Sequence, residues 1–286
     1  MVRTIDFNKL RDNAKKVENT NQRTVDARMY KLDRNEDGNA FAIIRFLPQV
    51  EGEDTFFAMR YSHFFTENGK TYSELCPTIV GDQCPVCEHN REHWKNYGPV
   101  EKARKRKVRY FTNILVVKDK EHQDREGENF LYEFGDKIHK KISNAIYDND
   151  EEGTKGYDVF DFMKGKNFKL KIKTVSDFAN YDDSEFIADP SPVFGGDEKK
   201  INALDKKIYP LAEFIPKKET MKSYEELKAI FLSKISPNAE QPQSSSNKQS
   251  SNSKPSSQKV VDSEDEGLFI DDSKKKEPEQ DFFLGD

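Results

Sequence analysis

The chain has 286 residues, of which 35% are charged and only 34% are hydrophobic. This small apolar share predicts a core of roughly 200 residues with disordered segments attached, rather than two full domains. No apolar run approaches the roughly 20 residues that a membrane-spanning helix needs, so we expect a soluble protein.

The charge is unevenly distributed along the chain. The whole sequence carries a net charge of −5, whereas residues 260–286 alone hold ten Asp or Glu against three Lys, a balance of −7. Subtracting the second value from the first leaves +2 for residues 1–259. A slightly basic body therefore precedes an acidic tail.

The N-terminal segment predicts one short amphipathic helix. Within residues 4–18, helical spacing relates Phe7, Leu10, Ala14 and Val17, and a polar run follows. So short a helix is unstable alone in water. It either folds back on the core or docks on a neighbouring molecule, and the sequence leaves both open.

Several segments read as β-strands. Residues 41–47 and 56–61 are apolar on both faces, as buried strands are. Further strands are predicted at residues 108–117, 130–134 and 168–173, and the last alternates strictly between apolar residues and lysines. One face of that strand therefore carries Lys169, Lys171 and Lys173 together.

Asn68-Gly69 lies between two strand-like runs and is a strong signal for a two-residue hairpin loop. With that loop, Glu67 pairs with Lys70 and His63 lies opposite Glu74. Cys76 then projects from the same face as His63, as its diagonal neighbour at roughly 7–8 Å.

The three cysteines of the chain all follow this hairpin loop, and they predict a metal site. Cys84 and Cys87 form a Cys-x-x-Cys turn, which offers two thiolates to one ion. We interpret His63, Cys76, Cys84 and Cys87 as the ligands of one structural zinc ion. Four protein ligands leave no position for water, so the metal supports folding rather than catalysis.

These residues also have other interpretations. A disulfide needs an oxidising compartment, whereas the chain opens without an apolar signal segment, and three cysteines leave one unpaired. A redox Cys-x-x-Cys would leave Cys76 unexplained. The nitrogen ligand is alternatively His89 or His93, which lie on a predicted short helix at residues 87–97.

Residues 91–118 form the basic centre of the sequence, with nine Lys or Arg against two Glu. Basic runs are usually solvated surfaces or localisation signals. Here the run at residues 104–109 enters a strand and is followed directly by aromatic residues. Candidate rings for base stacking are Tyr97, Tyr110, Phe111, Phe178 and Tyr181.

Two further helices and a polar linker complete the chain. Residues 136–146 predict a helix with Ile138, Ile142 and Ile146 on one side, and Ser223 with Glu226 predicts a capping box that opens a helix ending near residue 235. Residues 236–259 have the composition of a flexible linker. The tail combines acidic and aromatic residues, which favours a protein-binding segment over a solubilising one.

Cations beside exposed rings are what sequence-independent binding of single strands requires, because every base has a π face. Short strands with one basic face suit an OB-like barrel. The predicted fold class is mainly β with α insertions (α+β).

Several motifs also occur in one order along residues 40–235. They are residues 44–48, the His63-x12-Cys76 spacing followed by Cys84-Pro85-Val86-Cys87, residues 105–107 leading to 113–119, residues 175–184, and residues 222–227. In these motifs the sequence resembles the single-stranded DNA-binding, helix-destabilising proteins of T-even-type bacteriophages.

The resemblance implies an OB-fold core with an inserted zinc subdomain, and it supports the four zinc ligands. The expected organisation is an N-terminal arm (1–20), a core (21–235) with the zinc subdomain at about 60–95, a disordered linker (236–259) and an acidic tail (260–286). The arm, with Arg3-Thr4, would contact neighbouring protomers, and the tail would bind phage replication and recombination proteins.

The implied function is cooperative coating and protection of single-stranded DNA in phage DNA replication, recombination and repair, in the cytoplasm of the infected bacterial host and without enzymatic activity. The candidate DNA contacts are Arg45, Arg104, Lys105, Arg106, Lys107, Arg109, Tyr110, Phe111, Lys169, Lys171, Lys173, Phe178 and Tyr181.

Two other function classes fit parts of the sequence. One is a zinc-containing RNA-binding or transcription-regulating module, since backbone and stacking contacts barely separate RNA from DNA unless the 2′-hydroxyl is read. The other is a nuclease, although no two-metal pattern of His and Asp occurs and the zinc site is saturated.

Overall fold

The computed structural model describes residues 26–93, 98, 102–149, 153–175 and 178–236. The strands are β1 (Met29–Tyr30), β2 (Ala40–Phe46), β3 (Ala58–Glu67), β4 (Lys70–Leu75), β5 (Lys107–Asp119), β6 (Asn129–Phe134), β7 (Lys166–Val175), β8 (Phe178–Asn180) and β9 (Glu185–Pro190). The α-helices are α1 (Pro85–Glu92), α2 (Asp136–Ile146), α3 (Glu198–Asp205) and α4 (Tyr224–Ile235). None of these helices has the length and apolar character needed to cross a membrane. The prediction of a β-dominated α+β fold is confirmed.

Strand β5 is the centre of the sheet because it pairs along its length with three others. Its first part pairs with β3, its middle with β6 and its last part with β2, all antiparallel. The order β1-β6-β5-β2-β7-β8 continues the sheet, with β4 added to β3 and β9 added to β7. Only the short β1–β6 pair is parallel among the described strands.

The β3–β4 hairpin has the register that the sequence predicts. Glu67 pairs with Lys70, and His63 lies opposite Glu74. Asn68 and Gly69 have φ values of 49° and 72°. Both values are positive, as a type I′ loop requires, and Asn followed by Gly is the residue pair that tolerates this best.

The main core fills the space between the sheet and α2. From α2, Ile138 and Ile142 are fully buried, whereas Ile146 is partly exposed at the end of the helix. On β7, Phe168, Leu170 and Ile172 are buried and the intervening lysines face outward. The predicted alternation of this strand is therefore confirmed, and its lysines form a row on the surface.

Helix α4 closes the structure over the β3–β4 hairpin. Its first turn has the predicted capping box, in which the Ser223 hydroxyl accepts from the Glu226 amide and the Glu226 carboxylate accepts from the Ser223 amide. Phe231 of this helix packs edge-on against Phe65 and Tyr72 of the hairpin. The helix therefore covers the side of the hairpin that carries the cysteine cluster.

Several predictions lie outside the described residues. These are the N-terminal helix with Arg3-Thr4, the ring of Tyr97, most of the linker and the acidic tail.

Candidate metal centre and nucleic-acid interface

One imidazole and three thiols meet beside the β3–β4 hairpin. His63 comes from β3, Cys76 directly follows β4, Cys84 precedes α1, and Cys87 lies in its first turn. Their ligating atoms all lie within 4.8 Å of one another. His63 Nε2 is 3.4 Å from both Cys84 Sγ and Cys87 Sγ, and Cys76 Sγ is 3.6 Å from Cys87 Sγ. The structure therefore brings together the four residues that the sequence predicts as ligands.

These separations fit one tetrahedral metal ion. Bond lengths of about 2.3 Å to sulfur and 2.1 Å to nitrogen place two sulfurs about 3.8 Å apart, and a sulfur and a nitrogen about 3.6 Å apart. The three distances of 3.4, 3.4 and 3.6 Å given above fall within about 0.2 Å of these values. His63, Cys76 and Cys84 are buried, and Cys87 is partly exposed. The geometry of the cluster is thus compatible with a closed, mostly buried site for a structural metal ion.

The orientation of His63 is set by a backbone group from the basic segment. Its Nδ1 lies 2.8 Å from the carbonyl oxygen of Arg104, and Asn90 Nδ2 donates to the same oxygen at 3.3 Å. A proton on Nδ1 leaves the lone pair of Nε2 directed at the sulfurs, which is the tautomer that metal-binding histidines use.

The cluster stabilises positive charge. Burial alone would lower the pKa of His63, but hydrogen bonds to the thiol groups of Cys76 and Cys84 raise it to about 10. Hydrogen bonds from Cys84 and Cys87 hold the pKa of Cys76 well below its ordinary value. Hydrogen bonds to Cys76 and Cys84 raise the pKa of Cys87, so the negative charge of the cluster is concentrated on the Cys76 sulfur beside His63. A thiolate in this position also suits a bound divalent cation.

Arg104, a predicted DNA contact, is buried and holds the hairpin instead. Its guanidinium forms a bidentate ion pair with the Glu67 carboxylate, with Nε at 2.8 Å and Nη2 at 2.6 Å. An arginine engaged in this way has no open side for a phosphate. The prediction of a DNA contact at Arg104 is therefore wrong in this structure, because the side chain is used to fix the β3–β4 loop against β5.

Arg45 is also buried, and the prediction that it contacts DNA is likewise wrong. Its Nη2 donates to the carbonyl oxygens of Asp161 and Ser191, both at 3.0 Å. The side chain lies fully inside the fold. It ties β2 to two loops rather than facing solvent.

Two of the predicted stacking rings have no exposed face. Phe111 is buried and stacks on Phe214 with ring centroids 4.9 Å apart, while Arg60 covers it at 4.8 Å. Tyr181 is buried in the main core. Base stacking needs an open ring face, so both assignments are corrected to core packing.

Tyr110 lies on a different face, which we call the aromatic–basic face: Tyr61, Arg106, Tyr110 and His139. The Arg106 guanidinium is 4.1 Å from the centroid of Tyr61, and the rings of Tyr110 and His139 stack 4.0 Å apart at 9°. Register places Tyr61 opposite Val108 and Met59 opposite Tyr110, so the two tyrosines are diagonal neighbours on one side of the β3–β5 pair. All four side chains are half-buried. This face combines a cation with flat rings.

Lys107 and Arg109 project from the opposite side of β5. Arg109 pairs in register with Arg60, and its Nε lies 3.4 Å from the Glu133 carboxylate. Lys105 is half-buried just before the strand. The basic run is therefore divided between two faces, and of its arginines only Arg106 belongs to the aromatic–basic face.

The lysine row of β7 is largely neutralised by an acidic segment, which we define as Asp182, Asp183 and Glu185. Lys171 lies 3.6 Å from Asp183, Lys173 forms a closer ion pair with the same carboxylate, and Lys169 is 3.0 Å from Glu185. Asp182 pairs with Lys137 of α2 at 3.1 Å. Side-chain hydrogen bonds, from Asn180 to Asp182 and from Lys173 to Asp183, lower the pKa values of both carboxyls.

Phe178 is the exposed ring among the predicted contacts beyond β5. It is 42% exposed on β8 and pairs in register with Val175, which is 52% exposed. Phe178 therefore keeps the open face that a stacking role requires, at the β7–β8 end of the sheet.

Sequence reasoning missed Tyr61, Thr78 and His139. Tyr61 stands two residues before His63, so alternation places both on one strand face, yet its position beside Tyr110 depends on the β3–β5 register. Thr78 follows Cys76 by two residues, and its hydroxyl contacts Cys76 Sγ at 3.1 Å. No local pattern marks His139, which reads as an ordinary helix residue.

Comparison with known proteins supports a common origin for this whole region. Residues 38–234 match the sequence profile of a family described as "gp32 DNA binding protein like". The chain is 40% identical over 211 residues to the single-stranded DNA-binding protein of Enterobacteria phage T2, across 71% of this chain and 68% of that protein. The corresponding protein of Enterobacteria phage T4 is 39% identical over 211 residues, with the same coverage of 71% and 68%. The single-stranded DNA-binding protein of Enterobacteria phage RB70 is 40% identical over a shorter stretch of 91 residues, which covers 29% of this chain and 74% of that protein.

Proposed function

Because the chain belongs to the gp32-like family of DNA-binding proteins, we propose that it binds single-stranded DNA without regard to base sequence. In this proposal it coats and protects exposed strands during phage DNA replication, recombination and repair, in the cytoplasm of the infected bacterial host. Its activity is binding, with no catalytic step.

The observation that carries this proposal is the aromatic–basic face. Arg106 offers a cation for the phosphates. Tyr61 packs beneath Arg106, and Tyr110 packs on His139 and beside Phe134, so both rings are held firmly. Both rings are only half-buried, so each still presents surface. Stacking on a ring accepts any base, and ionic contact with phosphate carries no sequence information. Together the two contacts supply affinity without specificity.

We propose that the strand extends from this face toward Phe178. Helix α2 connects the two, because His139 stacks on Tyr110 and Lys137 of the same helix reaches Asp182 beside the β7 lysine row. In this arrangement the DNA phosphates replace the acidic segment as ion-pair partners of the β7 lysine row: Lys169, Lys171 and Lys173.

The metal in this proposal is one structural zinc ion held by His63, Cys76, Cys84 and Cys87. The donor set of three sulfurs and one nitrogen favours zinc among common divalent ions, and four protein ligands leave no position for water. The ion would therefore stabilise the region of about residues 60–95 as a zinc subdomain, without contributing chemistry to DNA.

We further propose an OB-like core. Support comes from the antiparallel order in which β5 pairs with β2, β3 and β6, and from the curvature that register shifts in β2 and β7 introduce. An OB-like sheet binds single strands across one face, which agrees with the position of Tyr61 and Tyr110 on β3 and β5.

The remaining proposals concern the ends of the chain. The arm (1–20), with Arg3-Thr4, would contact neighbouring protomers and make binding cooperative. The linker (236–259) would allow the acidic tail (260–286) to reach replication and recombination proteins. The sequence features of these segments support the proposal: an amphipathic pattern in the arm, and acidic residues interleaved with aromatics in the tail.

Titration of the full-length, zinc-loaded protein with labelled oligonucleotides tests the proposed function. Matched single-stranded DNA, single-stranded RNA and duplex DNA are compared by fluorescence anisotropy at several salt concentrations. We expect DNA homopolymers of different bases to bind alike and more tightly than duplex. Affinity should fall by about 0.7 log units per log unit of salt for each phosphate contacted.

Two outcomes would overturn the proposal. A clear preference for ribose oligomers would favour an RNA-binding or regulatory module instead. Affinity that is independent of salt would contradict a role for Arg106 and the lysines, because ion release accompanies every phosphate contact.

A further inference from the structure

Thr78 lies between the metal cluster and the aromatic–basic face. Its Oγ1 is 3.1 Å from Cys76 Sγ and 2.9 Å from Arg106 Nη1. A guanidinium can only donate, so the hydroxyl accepts from Arg106. A metal-bound Cys76 thiolate can only accept, so in the metal-loaded protein the hydroxyl donates its own proton to the sulfur.

A second path joins the same groups and makes the arrangement rigid. The guanidinium of Arg106 packs over the ring of Tyr61 at 4.1 Å, and the carbonyl oxygen of Tyr61 accepts from the Cys76 amide at 2.8 Å. Arg106 is thus held at one edge by Thr78 and on one face by Tyr61. Both of these residues also bond to Cys76, Thr78 through the sulfur and Tyr61 through the backbone amide.

These supports leave Arg106 able to bind an anion. Within the part of the chain that the structure describes, no carboxylate forms an ion pair with Arg106, whereas Arg104 is fully engaged by Glu67. A guanidinium has five N–H donors, and the hydroxyl of Thr78 takes only one of them. The remaining donors form the fork that recognises phosphate.

The contact between Thr78 and Arg106 is not explained by local turn chemistry. Thr78 lies in the 3-10 turn Pro77–Val80, and a bond from its hydroxyl to the sulfur two residues earlier is a local interaction of a common kind. Arg106 is 28 residues away, directly before strand β5 of the proposed interface. The hydroxyl therefore connects two separate parts of the fold.

We propose that Thr78 is a positioning residue for DNA binding: it holds Arg106 in the orientation that receives a phosphate, and it makes that orientation depend on the sulfur of the metal cluster. This inference rests on the proposed function. It links a metal site that has no open coordination position to the binding of DNA.

Valine replaces the hydroxyl of Thr78 with a methyl group of nearly the same size, so T78V tests the proposal in the full-length protein. The expected result is weaker binding of a labelled oligothymidylate, with the slope of log affinity against log salt reduced in magnitude by about 0.7, the value of one phosphate contact. T78S restores the hydroxyl and should restore both values. In an R106Q background, T78V should have no further effect on the slope.

A matched control and a zinc buffer separate positioning from stability. Thr71, whose hydroxyl contacts only Thr66 in the same hairpin at 3.1 Å, provides the control variant T71V, which should keep the wild-type slope. Loss of a hydrogen bond to a metal ligand typically costs 10–100-fold in metal affinity. Free zinc is therefore buffered high enough to keep every variant loaded, and metal content is measured in each sample.

The proposal is overturned if zinc-loaded T78V binds with the wild-type salt slope, or if T78V changes the slope equally in the presence and absence of Arg106. Failure of the proposed function gives a different result, because the wild-type protein itself would then not bind single-stranded DNA.

Discussion

His63 and Arg104 share a hydrogen bond that joins the metal cluster to the basic segment of the chain. Nδ1 of His63 lies 2.8 Å from the backbone carbonyl of Arg104, two residues before Arg106. The atom that orients the only nitrogen ligand of the cluster is therefore part of the segment that enters β5. We therefore expect the binding of a metal to be coupled to the placement of the basic residues through this backbone contact.

Removal of the metal should destabilise the core. The hydrophobic cluster around Phe65, Tyr72 and Phe231 packs directly on the cysteines, so the loss of the ion disturbs it as well. If the ion contributes as little as about 3 kcal/mol to the free energy of unfolding, chelation should lower the melting temperature by about 6–12 °C. Thermal unfolding with and without a chelator, with metal content verified, measures this shift.

The identity of the nitrogen ligand can be tested in the same assay. His63 Nε2 lies 3.4 Å from the sulfurs of Cys84 and Cys87. The variant H63Q should therefore lose the metal and melt like the chelated protein. H93Q is the matched control, since His93 is exposed at the end of α1 and stacks on His89 outside the cluster. Metal loss from H93Q, with metal retained in H63Q, would reverse the ligand assignment.

Substitution of Tyr110 should weaken DNA binding through lost stacking. Y110L removes the ring, and we expect it to cost about 1–3 kcal/mol of binding free energy. Y110F keeps the ring and loses only the 3.3 Å contact to Asp136, so it should remain close to wild type. Tyr147, which is 72% exposed beyond the end of α2, supplies the control Y147L. If Y147L and Y110L weakened DNA binding equally, the bound DNA would not stack on Tyr110.

Release of the β7 lysine row should tighten binding. D183N removes the carboxylate that pairs with both Lys171 and Lys173, and the freed cations gain phosphate contacts. The expected change is a several-fold rise in affinity at low salt and a steeper salt dependence, because each new contact adds about 0.7 to the slope. D205N makes the same change in net charge at the end of α3, and matching results for the two variants would exclude the lysine row from the interface.

The stability of the core should depend on the ionisation of His139. Burial against Phe57 and Tyr110 lowers the pKa of His139 below its ordinary value of 6.5, although the nearby Asp136 carboxylate opposes this. The unfolded chain then binds the proton more readily, so stability is fully present above about pH 6.5 and declines as the pH falls below it. Urea unfolding from pH 7.5 to 5.5 should show a larger loss for wild type than for H139Q, which does not titrate. Because both proteins contain the same metal cluster, their difference isolates His139, and parallel curves would contradict this assignment.

The features that the sequence predicts correctly depend on neighbouring residues. The register of the β3–β4 hairpin follows from a two-residue loop, which brings His63 and Cys76 to one face. The alternation of β7 and the capping box of α4 likewise need only residues two or three positions apart. These patterns are local because the backbone itself sets their periods.

The errors arise where distant parts of the chain meet. Arg45 looks like a surface cation, but its partners Asp161 and Ser191 lie 116 and 146 residues away. Phe111 is covered by Phe214, more than 100 residues later in the chain. Such contacts are fixed by tertiary packing, and no periodic pattern in the sequence signals them.

Ultraviolet cross-linking of oligothymidylate to the zinc-loaded, full-length protein, followed by mass spectrometry of the linked peptides, tests most directly where the strand binds. Cross-links are expected at Tyr61 and Tyr110, with Phe178 as a further position, and they should be lost at high salt. Cross-links confined to peptides outside this path, such as those around Phe194, would contradict the proposed binding path.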